Sequence, residues 1–170
     1  EWQLPIDDPE LWWPHALGSQ PLHEVVVEVT PLGDRGGLVS DGDAPADPAE
    51  VTVDRPVSHR VTRRIGLRQV DLRGWVLSVN GERLFLKGVN LGPTALDLAQ
   101  VDPADLARDV DLAKDAGLDL IRLQSHITRP ELYDAADEAG MLVWQDFPLQ
   151  WGYARSIRKQ AQRQAREAVD

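Results

Sequence analysis

The chain has 170 residues, 42% of them apolar, which is enough for one ordinary domain or for two small ones with separate cores. Twenty-eight acidic residues against eighteen basic ones leave a net charge of −10, which argues against a nucleic-acid partner because a phosphate backbone would be repelled. No apolar run approaches the roughly 20 residues of a membrane span, and the lack of cysteine excludes disulfides and thiolate metal sites; it suits a reducing cytoplasm and leaves the compartment open.

The opening "EWQLPIDDPE" has neither the basic nor the apolar region of an export leader. The first 70 residues read as β-structure. "PLHEVVVEVT" alternates well enough for a strand from Leu22 to Thr30, and "VSHRVTRRIGLRQVDL", residues 57–72, is a second long strand candidate rich in β-branched residues. Between them "GDRGGLVSDGDAPADPAE", residues 33–50, has the Gly, Pro and Asp content of a mobile surface loop. Its "GDRGG" follows a strand but opens no helix, which argues against a phosphate cradle.

"WVLSVNGERLFLKGVNL", residues 75–91, holds two strand-like runs joined at Asn80-Gly81, a strong hairpin signal because both residues tolerate positive φ. Asp102 can then cap a helix with Pro103 at its first position and Leu106, Val110 and Ala113 as its apolar stripe, ending at Gly117. "LDLIRLQS" follows as a strand. Thr128 and Glu131 are spaced as a capping box for a helix over "RPELYDAADEA" that stops at Gly140, and "MLVWQDF" is the next strand. A third helix is expected from near Ser156 to the end. Its arginines and lysine alternate with Ile157, Ala161, Ala165 and Ala168, the pattern of a solvated basic face.

From Leu84 onward the order is therefore β, α, β, α, β, α, which makes parallel strands buried on both faces, expected near 84–89, 118–124 and 141–146. In such folds ligands sit at the carboxyl ends of the strands. Those ends read "GVN" at Asn90, "IRLQSH" at His126 and "WQD" at Asp146, each polar where the apolar run finishes.

Four stretches in this order, "LWWPHALGSQPLHEVVVEV", "RRIGLRQVDL", "VNGERLFLKGVN" and "LYDAADEAGMLVWQDF", resemble glycoside hydrolase family 2, nearer its β-mannosidase-like branch than the β-galactosidases. The resemblance implies an α+β multidomain fragment: part of an immunoglobulin-like β-sandwich over residues 1–70, then the first three βα units of a (β/α)₈ TIM barrel over residues 71–170. It implies a retaining exo-β-glycosidase of carbohydrate metabolism, with a β-linked sugar as partner and no cofactor. A whole barrel takes about 250 residues, so the chain is expected to be a piece. The family's acid/base glutamate follows an asparagine at the fourth strand and its nucleophile lies near the seventh; the sequence holds no Asn-Glu dipeptide, and the piece by itself is expected to be inactive. The family pattern has an aromatic residue after "KGVN" and a tryptophan with a glycine-rich turn after the second strand. Here these positions read "LGPTALDL" and "LQSHITRP", which leaves the sugar open.

Arg122 stands in an otherwise apolar run, where an arginine needs carboxylate partners; the resemblance places it beneath the catalytic carboxylates, and a structural ion pair is the competing role. Trp144 can floor a sugar site or pack in the barrel, and Asp146 can accept from hydroxyls or from Arg122, or cap its loop. His126 can reach hydroxyls or merely pack. Asn90 and Asp97 follow the first strand, and Asn90 more readily fixes the turn than touches ligand. Trp12, Trp13 and Trp75 read as core or interdomain packing. No residue spacing demands a metal. A non-catalytic carbohydrate-binding module is the alternative; a nucleotide-binding domain lacks the Gly-rich turn it would need. An open third-strand edge also predicts self-association or a covering contact.

Overall fold

The computed structural model describes residues 4–30, 57–149 and 152–168. The loop expected over residues 33–50, with its "GDRGG", lies outside the described residues. The chain divides into two compact units, one formed by His23–Ile65 and the other by the residues up to Leu22 together with those from Gly66 onward.

In the first unit, strands β1 (His23–Val29) and β2 (His59–Ile65) pair antiparallel, with His23 opposite Ile65 and Val29 opposite His59. The valine run that signals β1 supplies its pleated surface. Ser58 closes the end of the ribbon, its amide and its hydroxyl each donating to the Val29 carbonyl at 2.8 Å.

The long strand candidate over residues 57–72 is two strands, because β2 ends at Ile65 and β3 (Val70–Arg73) belongs to another sheet. The break is caused by Trp12. Its fully buried indole packs with Val79 and Leu142, its amide donates to the Leu67 carbonyl at 2.9 Å, and a Cβ on Gly66 would lie 2.7 Å from the ring.

In the second unit, β3, β4 (Val76–Val79) and β5 (Glu82–Arg83) form an antiparallel meander. Asn80-Gly81 turns as expected, with φ of 51° and 86°. Asn80 does more than turn: its Oδ1 accepts from the Gln69 amide at 2.8 Å and its Nδ2 donates to the Trp12 carbonyl at 3.0 Å. Trp75, expected in a core, is 93% exposed, because it shares with Gly74 a two-residue turn at positive φ that holds the ring off the sheet.

The α/β part follows as β6 (Gly88–Leu91), α1 (Pro103–Asp115), β7 (Leu120–Leu123), α2 (Pro130–Ala139), β8 (Leu142–Gln145) and α3 (Arg158–Glu167). The strands are parallel in the order β6-β7-β8. The first begins at Gly88 rather than Leu84, because Leu84 and Leu86 pack beside Trp12 and the Lys87 carbonyl is taken by the amides of Asp119 and Leu120. Asp102 caps α1, its Oδ1 accepting from the Ala104 amide at 2.9 Å, and Leu106, Val110 and Ala113 are buried. Gly140 closes α2 at φ 77°.

The capping box at Thr128 and Glu131 does not form. Arg129 is the N-cap of α2 without a side-chain cap; its guanidinium takes both oxygens of Glu131 and reaches the Val101 carbonyl at 2.7 Å, while the Thr128 hydroxyl is buried without a hydrogen-bond partner among the described residues. A charge-assisted bidentate pair outweighs a neutral cap. A 3₁₀ turn, Arg155–Ile157, precedes α3, whose basic residues are exposed while Ile157, Ala161 and Ala165 are half-buried. The three parallel strands differ in burial: Ile121 and Leu123 of β7 are fully buried against the helices, whereas Asn90 and Trp144 on its flanks are exposed. Among the described residues β6 and β8 are each hydrogen-bonded on one side only.

Gly66→Ala is expected to cost about 1–3 kcal/mol, since the new methyl meets the rooted part of a fully buried indole. Gly92→Ala, where a Cβ would meet nothing within 4 Å, serves as the near-neutral control in urea denaturation.

Candidate functional site at the strand ends

Register places the site. Asn90 of β6 lies opposite Arg122 of β7, and Arg122 opposite Trp144 of β8, so the three form one row across the sheet. Side chains alternate along a strand, and burial of Ile121 and Leu123 on the helix side sends this row to the other face. Asp146, two residues beyond Trp144, returns to that face. Its amide donates to the Leu123 carbonyl at 3.2 Å, which carries the ladder one residue past β8.

Arg122 and Asp146 meet there as a fork: Nε donates to Oδ1 at 3.1 Å and Nη2 to Oδ2 at 2.8 Å. The geometry is the bidentate one that fixes both groups in a plane. Hydrogen bonding to Asp146, and then its charge, raise the pKa of Arg122 above the ordinary arginine value. The guanidinium also stands 6.0 Å from the centroid of the Trp144 ring, at the outer limit of a cation–π contact. Arg122 was expected to be buried, but its side chain is 42% exposed, against 18% for Asp146. Two donors of the guanidinium point to its partner while the rest of the group faces open space, so a fixed positive charge and an exposed indole, 54% accessible, lie side by side.

The other residues singled out in the sequence divide. Asn90 is in the row, exposed, and has no side-chain hydrogen bond among the described residues. His126 is drawn into its own loop, with Nδ1 3.0 Å from the Gln124 carbonyl, and does not join the Arg122 pair. Asp97 starts the 3₁₀ turn Leu98–Gln100 without a side-chain cap and is likewise apart from the pair.

Two groups were missed. Gln145 accepts from the Tyr133 hydroxyl at 2.5 Å and donates to the carbonyls of His126 at 2.7 Å and Asp146 at 2.5 Å. The only sequence signal for it was an amide ending an apolar run. At the opposite end of β7, Asp119 is fully buried: Oδ2 accepts from the Lys87 amide at 3.2 Å and lies 3.4 Å from Lys87 Nζ, while Oδ1 has no hydrogen bond among the described residues and faces His15 Nε2 at 3.7 Å. It read as one more residue of the strand "LDLIRL".

No protein-family model matches the chain. A β-mannosidase A of Aspergillus terreus is 31% identical over 158 residues, a match that takes in 82% of this chain and 15% of the fungal protein. The chain's homologues are members of glycoside hydrolase family 2. An exo-β-D-glucosaminidase of Streptomyces avermitilis is 28% identical over 145 residues, with 82% of this chain and 13% of that protein matched. Among solved structures, a β-D-mannosidase from Dictyoglomus thermophilum superposes with a TM-score of 0.68 at 24% identity, covering 95% of this chain and 19% of that one. The Amycolatopsis orientalis exo-chitosanase follows at 0.64 and 23%, covering 85% of this chain and 15% of that one. The chain thus spans about 15% of the length of the curated family members it matches.

Burial raises the pKa of Tyr133 above tyrosine's ordinary 10.0, partly offset by a hydrogen bond from the Thr128 backbone. A raised folded-state pKa gives stability that is present below pH 10 and is lost as pH climbs through the tyrosine's own value. The phenolate absorbance step that Tyr133→Phe removes is therefore expected above pH 10 in a spectrophotometric titration; a step below that would show water at the ring.

Proposed function

We propose that this sequence serves a retaining exo-β-glycosidase, with a β-mannoside as first-choice substrate and a β-galactoside as second. On this reading β1 and β2 belong to an immunoglobulin-like sandwich, and the α/β part supplies the first three strand–helix units of a (β/α)₈ barrel, with the boundary near residue 70. The observation that carries it is the Arg122–Asp146 fork beside Trp144 at the carboxyl ends of three parallel strands. Barrel enzymes work at that end. Support for the substrate class comes from the relatives, named as β-mannosidases and an exo-β-D-glucosaminidase.

The chemistry follows from what such a reaction needs. Retention requires two carboxyl groups about 5 Å apart, one protonating the leaving oxygen and one attacking the anomeric carbon. The residues at the fork meet neither demand, because Asp146 is neutralised by Arg122 and neither Asn90 nor Trp144 can transfer a proton or attack carbon. Their work is positioning. The guanidinium donors of Arg122 that Asp146 leaves open would hydrogen-bond a neighbouring nucleophile and favour its ionised form. Trp144 offers a flat apolar surface to a pyranose ring. Asn90, exposed in the same row, would exchange hydrogen bonds with hydroxyls. The two catalytic glutamates would come from strands beyond these three.

In the full-length protein Arg122→Ala is expected to lower kcat on an aryl β-mannoside by roughly a hundredfold or more. Equal turnover in a normally folded variant would leave Arg122 a structural role only.

The 170 residues alone are expected to release no phenol from an aryl β-mannoside or an aryl β-galactoside. They are also expected to associate, because among the described residues β8 is hydrogen-bonded on one side only, beside the exposed Trp144. Light scattering should show a mass that rises with concentration; a strict monomer, or turnover that Asp146→Asn abolishes, would contradict this.

A further inference from the structure

We infer that Gln145, set by Tyr133, is a positioning residue that locks together the two loops framing the strand-end site; the inference rests on the glycosidase reading for its catalytic consequence but not for its geometry. Gln145 is the last residue of β8, in the row with Leu91 and Leu123. Its side chain therefore leaves on the helix face, opposite to Arg122. There its amide is almost fully used: Oε1 accepts from Tyr133, and the two hydrogens of Nε2 go to the carbonyls of His126 and Asp146.

Those carbonyls belong to different loops. His126 lies between β7 and α2, in the segment where Ser125 holds φ at 61°, and Asp146 begins the segment after β8. One primary amide thus joins the backbone of both. Asp146 is the residue that matters for the site, because its carboxylate lies against Arg122 across the sheet while its carbonyl is held from the helix face. The residue is tethered on both sides. Tyr133 supplies the fixed end of the chain of bonds: it sits on α2, and its ring packs against the core cluster containing Leu132 and Ala136. An amide that merely ended a strand would need one such bond; this one spans α2, the β7–α2 loop and the β8 exit together.

The test uses the full-length protein with Gln145→Met, which keeps length and removes donor and acceptor alike, and Tyr133→Phe, which removes one hydroxyl. Two measurements are made on each: kcat and KM for an aryl β-mannoside, and hydrogen exchange of peptides over residues 124–129 and 145–149 with a peptide from α1 as reference. Gln145→Met is expected to lower kcat about tenfold with KM within about twofold, to hold the unfolding midpoint within about 3 °C, and to speed exchange in the two loop peptides while α1 is unchanged. Tyr133→Phe should move both readouts in the same direction by less. Unchanged loop exchange, or exchange that rises equally in α1 with a large fall in the midpoint, would overturn the inference. If no protein, wild type included, hydrolyses the glycoside while the loop peptides still respond, the substrate reading fails and the lock stands.

Discussion

Ile121 and Leu123 are fully buried against α1 and α2, and a strand has only two faces. Everything at the candidate site follows from that constraint. With these two residues committed to the helices, Leu120 and Arg122 must project from the other side, Leu120 beside Trp12 and Arg122 toward the carboxyl end. A one-residue slip of β7 would bury the guanidinium among Leu106, Val110 and Leu132 and expose the isoleucine, a loss of apolar burial and an unpaired buried charge at once. The helices therefore specify the register, and the register puts Asn90, Arg122 and Trp144 abreast.

The two ends of β7 use charge differently. At the amino end Asp119 is fully buried, with Lys87 and His15 close by and, among the described residues, one oxygen without a hydrogen bond. Burying a carboxylate is costly unless neighbours offset it, so this cluster fixes where β6 and β7 begin. At the carboxyl end Arg122 remains partly open to solvent with one carboxylate, Asp146, committed to it. The first arrangement suits holding a strand in place; the second leaves part of a guanidinium open to solvent.

Local signals were legible and long-range ones were not. The Asn80-Gly81 turn, the Asp102 cap, the stripe of α1 and the Gly140 stop each depend on a few adjacent residues, and all appear in the structure. The parallel order of β6, β7 and β8 followed from the alternation of strand and helix patterns. Thr128 and Glu131 misled because Arg129, lying between them, outcompetes the cap for the same carboxylate. The break at Gly66 was hidden because the indole that causes it lies more than fifty residues earlier. Of the site, the pairing of Arg122 with Asp146 was readable, since a charge in an apolar strand needs a partner and the neighbouring strand ended in an acid. The turning of His126 toward its own loop and the three-way use of Gln145 were not, because backbone carbonyls leave no trace in side-chain patterns.

Trp12 binds together parts of the chain made far apart. Its indole nitrogen donates to the Asp137 carbonyl at 2.7 Å across 125 positions of sequence, and the neighbouring His15 amide donates to Gly140 at 2.9 Å. A ribosome adds about 5–20 residues per second, so this early segment emerges roughly 6–25 seconds before the helix that receives it. During that interval the ring finds only part of its native surroundings: Gly66, Leu67 and Val79 are already made, while Asp137 and Leu142 are not. Full enclosure of the ring must wait for α2 and the start of β8, so a segment made later decides when this earlier one can settle.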